Sequence, residues 1–427
     1  MSSEKKRIVC FGPGPKFKGG IANYNTSLAI ALDKEADTEV HIVSWTQQYP
    51  AIIPREFVDK SSKTDLLEGT DVQVKYLTNY NNPFSWGATV RYIKSLKPDI
   101  VVFQWAIAIQ GLPLGRIISR LSKIEGIEVI VDLHFVIQKE NSNIDRIFTK
   151  MGIGKANGYI VHALKTYREL QELYPNKNFY LSEDGTRTET NGERTVIKLY
   201  HPIYDMFKPD PNFDVDAFKK ENGLAKHVFL FFGFIRKYKG LHNAIQAFKK
   251  VADQREDVSL LICGESFWNT LDKSKLSTRI KSALFGLAKG LFLKKADDEG
   301  EYRPLELIKE LHLENRTAVF NEFIANEDVH KYFQSSDCVV LYYLTATPSG
   351  IESLSYNFSL PILATKVGHF PETIQDGFNG YLAEDQDIDS MAEQMLRFIE
   401  HPLPGENVKA ATEKLSWANY AKAILNR

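Results

Sequence analysis

Short apolar runs alternate with segments of helical period along the whole chain, and that alternation is what βαβ units building parallel sheets require. In the first half the runs are Ile8–Phe11, Val40–Ser44, Val72–Tyr76, Ile100–Phe103, Val129–Leu133 and Tyr159–Val161. The pattern pauses at His201-Pro202-Ile203-Tyr204-Asp205 through Pro209-Asp210-Pro211, where Pro and Asp divert the backbone. A second series follows: Val228–Phe232, Ser259–Cys263, Ala318–Phe320, Cys338–Tyr342 and Ile362–Ala364. The expectation is an α/β chain of two Rossmann-like domains with parallel sheets, 1–203 and 204–400, facing across a cleft. A helical segment, 401–427, is expected to finish near the domain junction.

A chain of 427 residues is long enough for two such cores. Its 53 Lys plus Arg against 54 Asp plus Glu give a formal charge of -1, so no global basic field draws it to nucleic acid, and no nucleic-acid partner is expected. Cys10, Cys263 and Cys338 each sit inside an apolar run and read as packed, reduced thiols. A polar N-terminus and the lack of any run of about 18 apolar residues lead to the expectation of a cytoplasmic protein.

Three turns carry chemistry. After the first strand comes Gly12-Pro13-Gly14-Pro15-Lys16-Phe17-Lys18-Gly19-Gly20, then a helical Ile21–Leu32. Gly19 and Gly20 let backbone N–H groups approach an anionic ligand at a helix start; the same residues also suit a plain strand-to-helix connection. A dinucleotide fingerprint would need a glycine where Phe17 stands and an acid where Ser44-Trp45 stand, so NAD is disfavoured. The second series opens with a strand running into Gly233-Phe234-Ile235-Arg236-Lys237-Tyr238-Lys239-Gly240, which places Arg236 and Lys239 at a strand's carboxyl end beside a helix start. A diphosphate leaving group would find side-chain charge and backbone donors there; a solvated basic loop is the plainer alternative. The third turn, Ala346-Thr347-Pro348-Ser349-Gly350-Ile351-Glu352, opens a helix with Ser349 and Gly350, whose exposed amides suit a phosphate.

Taken in order, Lys18-Gly19-Gly20-Ile21-Ala22, the Phe232–Gly240 turn, Leu261-Ile262-Cys263-Gly264-Glu265, Ser359–Thr365 and Val367-Gly368-His369-Phe370-Pro371-Glu372 resemble family 4 of the retaining glycosyltransferases. The resemblance spans both domains. It implies a GT-B fold, a nucleotide-sugar such as a UDP- or GDP-sugar as co-substrate held by the second domain, a glycan or lipid-linked acceptor held by the first, and no metal or separate cofactor. It also implies site residues: Lys239 and, with a shift, Arg236 at the diphosphate, since Phe234 occupies the usual arginine position; His134 near the reacting sugar; and Ser349 and Gly350 as backbone donors. Gly19, Gly20, Gly233 and Gly264 line the same site, with Glu352 and Glu372 as acidic candidates and Glu140 a further one. The family's two glutamates, separated by seven residues, are replaced by Ala346 and Leu354, and Glu352 is out of register with them. This chain is similar to a branch with redistributed donor contacts.

The implied reaction is a hexosyl-type transfer with retention in cell-surface polysaccharide synthesis. A nucleotide-sugar epimerase of the same fold, or an idle sugar-nucleotide binding protein, are the alternatives. Lys273 to Lys295 holds seven cations and no acid, with Leu276, Ile280, Leu284, Leu287 and Leu291 on one helical face. Such a helix suits an anionic membrane surface, on the inner face of which the protein would be peripheral, or a flap on its own domain.

Overall fold

The computed structural model describes residues 5–50, 57–137, 143–266, 302–348, 350–413 and 415–426. The first sheet contains β1 (Lys6–Phe11), β2 (Thr38–Gln47), β3 (Gln73–Asn79), β4 (Ile100–Trp105), β5 (Glu128–Leu133), β6 (Gly158–Val161), β7 (Asn178–Ser182) and β8 (Glu193–Lys198). The second contains β9 (His227–Phe232), β10 (Val258–Cys263), β11 (Thr317–Phe320), β12 (Cys338–Leu341), β13 (Ile362–Thr365) and β14 (Gly380–Ala383). The strands of both sheets pair parallel, in orders 3-2-1-4-5-6-8-7 and 11-10-9-12-13-14. The second repeats the doubly wound order of the first six strands of the first, so β1 and β9 occupy equivalent switch points, where ligands collect at strand carboxyl ends.

Helices cover both faces, which is why the central strands are apolar along their length rather than alternating. All six residues of β4 and of β10 are buried. On one face of the first sheet lie α1 (Gly20–Asp33) and the C-terminal helix Trp417–Leu425; on the other lie α2 (Pro83–Leu96), α3 (Gly111–Leu121) and α4 (Asn143–Ile153). The α2 start follows local rules: Pro83 takes the first helical position, and the Asn82 side chain accepts from the Phe84 N–H. Cys10, Cys263 and Cys338 are free and buried in their strands.

One apolar cluster joins the two sheets. It runs from Tyr24 and Leu28 on α1 through Tyr204 and Phe207 in the connection to Leu354 and Tyr356 in the helix Gly350–Asn357, and on to Trp417, Tyr420 and Ile424. The chain's end thus folds back onto the first sheet, where Lys6 Nζ donates to the Leu425 carbonyl at 2.7 Å. Three strands lie beyond the apolar runs read from sequence. β7 is an edge strand with alternating exposure, β8 buries only its central Thr195, Val196 and Ile197, and β14 is a four-residue edge strand beginning at Gly380. Among the described residues no helix is long and apolar enough to cross a membrane.

Candidate functional site

The turns after β1 and β9 meet. Gly19 has φ 102, and a Cβ on it would lie 3.8 Å from Phe234 of the second domain. Gly20 opens α1, and its carbonyl accepts the Tyr204 hydroxyl at 2.8 Å. The same Tyr204 ring packs against Gly350, where a Cβ would fall 2.6 Å from the ring. Tyr204 therefore wedges between two helix starts, one from each domain. Phe17, at the position where a dinucleotide turn would need glycine, is buried and packs on Tyr76.

Lys239 closes this junction. It ends a short 3-10 turn, Lys237–Lys239, and is only 7% exposed. Its Nζ lies 2.9 Å from the place a Gly233 Cβ would take, and Ile351, second in the helix Gly350–Asn357, lies 3.0 Å from the same place. Glycine at 233 is what lets the ammonium in. Burial, and then the charge of Arg236, push the Lys239 ammonium down to a pKa of about 7. The Arg236 guanidinium lies over the Tyr238 ring at 5.6 Å, in the same turn. Gly264 completes the floor: at φ 149 its absent Cβ would be 2.1 Å from the Gly233 carbonyl, so the two turns stack. The arrangement concentrates positive charge beside exposed helix-start amides, the chemistry that holds a diphosphate.

His134 stands at the carboxyl end of β5, buried. Its Nε2 is 2.7 Å from Gln104 Oε1, which as an acceptor fixes that nitrogen as the N–H. Burial, opposed in part by the Asp132 carboxylate, lowers its pKa to about 4, leaving the imidazole neutral at neutral pH. Its ring meets Tyr24 edge-on at 4.8 Å; Tyr24 touches His201 at 5.0 Å and His201 touches Tyr204 at 5.3 Å. A chain of aromatic contacts therefore links His134 to the Gly20–Gly350 junction.

Glu352 is placed differently. Its buried carboxylate is engaged by His369, by the Thr373 hydroxyl at 2.5 Å and by the Tyr356 hydroxyl at 3.1 Å. Burial opposes ionisation, yet His369 and the two hydroxyls hold the carboxyl below its usual range. Glu372 is exposed, one residue before Thr373. Ser349, Glu140 and the basic 273–295 segment lie outside the described residues.

Two features escaped the sequence reading. Tyr204 sat in a stretch read as linker. Behind it, Asp132 pairs with His162 at 2.8 Å and accepts from the Tyr420 hydroxyl at 3.0 Å, while the Tyr24 and Tyr420 hydroxyls lie 2.5 Å apart. These residues come from β5, the end of β6, α1 and the C-terminal helix, so no spacing in the sequence announces them.

Two Rossmann-like sheets in the same strand order, with glycine turns and a buried cation at their facing edges, define the GT-B class. HepE of Anabaena, solved in complex with UDP, superposes with a TM-score of 0.61 over 98% of both chains at 15% identity, which establishes the shared fold. Residues 213–415 match the family model of the glycosyl transferases group 1. The chain is 25% identical over 195 residues to N-acetyl-alpha-D-glucosaminyl L-malate synthase of Bacillus anthracis, covering 44% of this chain and 40% of that protein. It is 22% identical over 206 residues to spore coat protein SA of Bacillus subtilis, covering 47% and 46%. The matched stretch spans less than half the length of either curated relative.

Proposed function

We propose that the chain transfers a sugar, with retention of configuration and without a metal, from a nucleotide-sugar to a glycan or lipid-linked acceptor in cell-surface polysaccharide synthesis. The observation that carries this is the Lys239 ammonium held buried between the Gly233 turn and the start of the helix Gly350–Asn357. A buried cation is costly without a partner, and a diphosphate is the partner this geometry accepts. The domain 204–400 holds the donor, and 1–203 presents the acceptor.

Arg236 and Lys239 neutralise the diphosphate, whose charge grows as the glycosidic bond breaks, so both act preferentially on the transition state. The amides at Ser349 and Gly350 add donors, and Gly19, Gly20, Gly233 and Gly264 let backbone come close. Neutral His134, oriented by Gln104, offers a hydrogen bond to the reacting sugar. A leaving-group diphosphate oxygen takes the acceptor's proton in a front-face step. The engaged Glu352 acts by fixing its helix, with Glu372 at the site's outer edge. A uridine diphosphate donor is the first to test, given the UDP complex of the Anabaena neighbour.

The experiment is a screen of nucleotide-sugars for a raised thermal midpoint, followed by product analysis with an acceptor. Transfer with the donor's anomeric configuration preserved supports the reading. An isomerised nucleotide-sugar, or binding without turnover, replaces it with an epimerase or an idle binding protein.

A further inference from the structure

Six of the nine large hydrophobic side chains exposed among the described residues lie on α2–α4 or on the 3-10 turn Ala108–Gln110 leading into α3: Phe84 (89% exposed) on α2, Ile109 in the turn, Leu112 on α3, and Ile144, Ile147 and Met151 on α4. The layer is tightly built. A Cβ on Gly111 would strike the Phe148 carbonyl at 2.2 Å and one on Gly115 the Met151 carbonyl at 2.3 Å, so α3 and α4 touch backbone to backbone. Their exposed apolar residues flank that seam. Side chains this apolar, clustered in water, mark an interaction surface.

The same three helices also carry a net positive charge. They hold Arg91, Lys94, Arg116, Arg120, Arg146 and Lys150 against Asp145 as their single acid, in a protein of net charge -1. Arg91 and Arg120, from neighbouring helices, converge: one guanidinium nitrogen of each lies within 4 Å of the place a Cβ on Gly87 would take. Two like charges brought together at a surface favour an anion between them.

We propose that the α2–α4 face docks on an anionic phospholipid bilayer. The apolar residues at the helix starts enter the interface, and the cations on the following turns meet the phosphates. Helix starts follow strand carboxyl ends, so Phe84, Leu112, Ile144 and Ile147 lie on the side of the domain that carries the Gly12–Gly20 turn and His134. Docking this way brings the acceptor side of the cleft to the lipid surface. The contact is independent of the donor chemistry proposed above and of residues 273–295.

Flotation of the full chain with pure phosphatidylcholine vesicles and with vesicles containing phosphatidylglycerol tests it. The wild type floats with the anionic vesicles and little with the neutral ones, and salt weakens the association. Arg91→Glu with Arg120→Glu lowers partitioning at least about tenfold. Ile144→Ser with Ile147→Ser lowers it several-fold, while thermal midpoint and donor-induced stabilisation stay at wild-type values in both. A wild-type chain that stays with the soluble fraction overturns the proposal. So does flotation of both double variants at the wild-type level, which assigns binding to another segment.

Discussion

Proton uptake by Lys239 on donor binding is the sharpest consequence of the site. The side chain is buried, and burial together with Arg236 sets its pKa at about 7 in the free chain. A bound diphosphate, bringing opposite charge into contact, restores the ammonium toward its ordinary range. At pH 8 roughly nine in ten free molecules hold Lys239 neutral, so binding takes up about 0.9 proton per donor; at pH 6 the uptake falls to about 0.1. Donor affinity is then flat below pH 7 and falls roughly tenfold per unit above it. Titration calorimetry with a nucleotide-sugar, in buffers of different ionisation enthalpy, reads this uptake directly; such a donor has no phosphate ionisation of its own in that range. Lys239→Met abolishes the uptake and lowers turnover by about 10² to 10³. The sign on stability is opposite. Because the folded pKa lies below the unfolded value of 10.5, the unfolded chain holds more protons between about pH 7 and 10.5. The free wild type therefore gains stability as pH rises through that window, and below it carries a cost on the order of 5 kcal/mol. Lys239→Met at pH 7 is expected to unfold with a higher free energy, by a few kcal/mol, while losing activity. Donor binding at pH 8 without proton uptake refutes the placement of the diphosphate at Lys239.

Two further outcomes follow from the same region. Gly240→Ala places a Cβ 1.8 Å from the Tyr342 carbonyl at φ 66, and is expected to cost at least about 2 kcal/mol in urea unfolding; a near-wild-type value would show that the turn after β9 is not built as described. Glu352→Gln removes the partner of buried His369 and is expected to cost about 3 kcal/mol at neutral pH. Since the Glu352 carboxyl is held below its usual 4.5, its contribution is present above that value and lost as pH falls through the lower folded value. The variant's acid unfolding limb is therefore shallower than that of the wild type.

Strands β1, β4, β5 and β6 were legible because each is a short run buried almost throughout. Strands β7 and β14 were not, since β7 alternates exposed and half-buried residues over five positions and β14 is only four residues long. The exposed layer on α2–α4 was illegible for a different reason. Ile144, Ile147 and Met151 recur at i, i+3 and i+7, the same pattern a buried helix face shows; only packing reveals that Thr149, Gly152 and Ile153 face inward instead. Glu352 illustrates the converse. A lone acid at a helix start reads as a ligand or cap, and nothing local tells that His369, seventeen residues on, takes it into the interior.

The turn after β9 shows where sequence stops deciding. Arg-Lys-Tyr-Lys is, by its letters, a solvated basic loop as readily as an anion site, because exposed cations cost nothing and need no partner. Burial breaks the tie. Lys239 has lost its water among Gly233, Ile351 and Tyr343, next to a second cation, and no carboxylate is among the causes that set its pKa. A fold that tolerates an expense of several kcal/mol at one side chain retains it only where something offsets it, and among the described residues the Tyr343 ring, 5.9 Å from the ammonium, offsets only part of it. On the reading proposed above, a donor diphosphate supplies the remaining offset, and the Gly19–Gly20 and Gly350 helix starts that Tyr204 brings to the same junction would meet it with amides as well as charge.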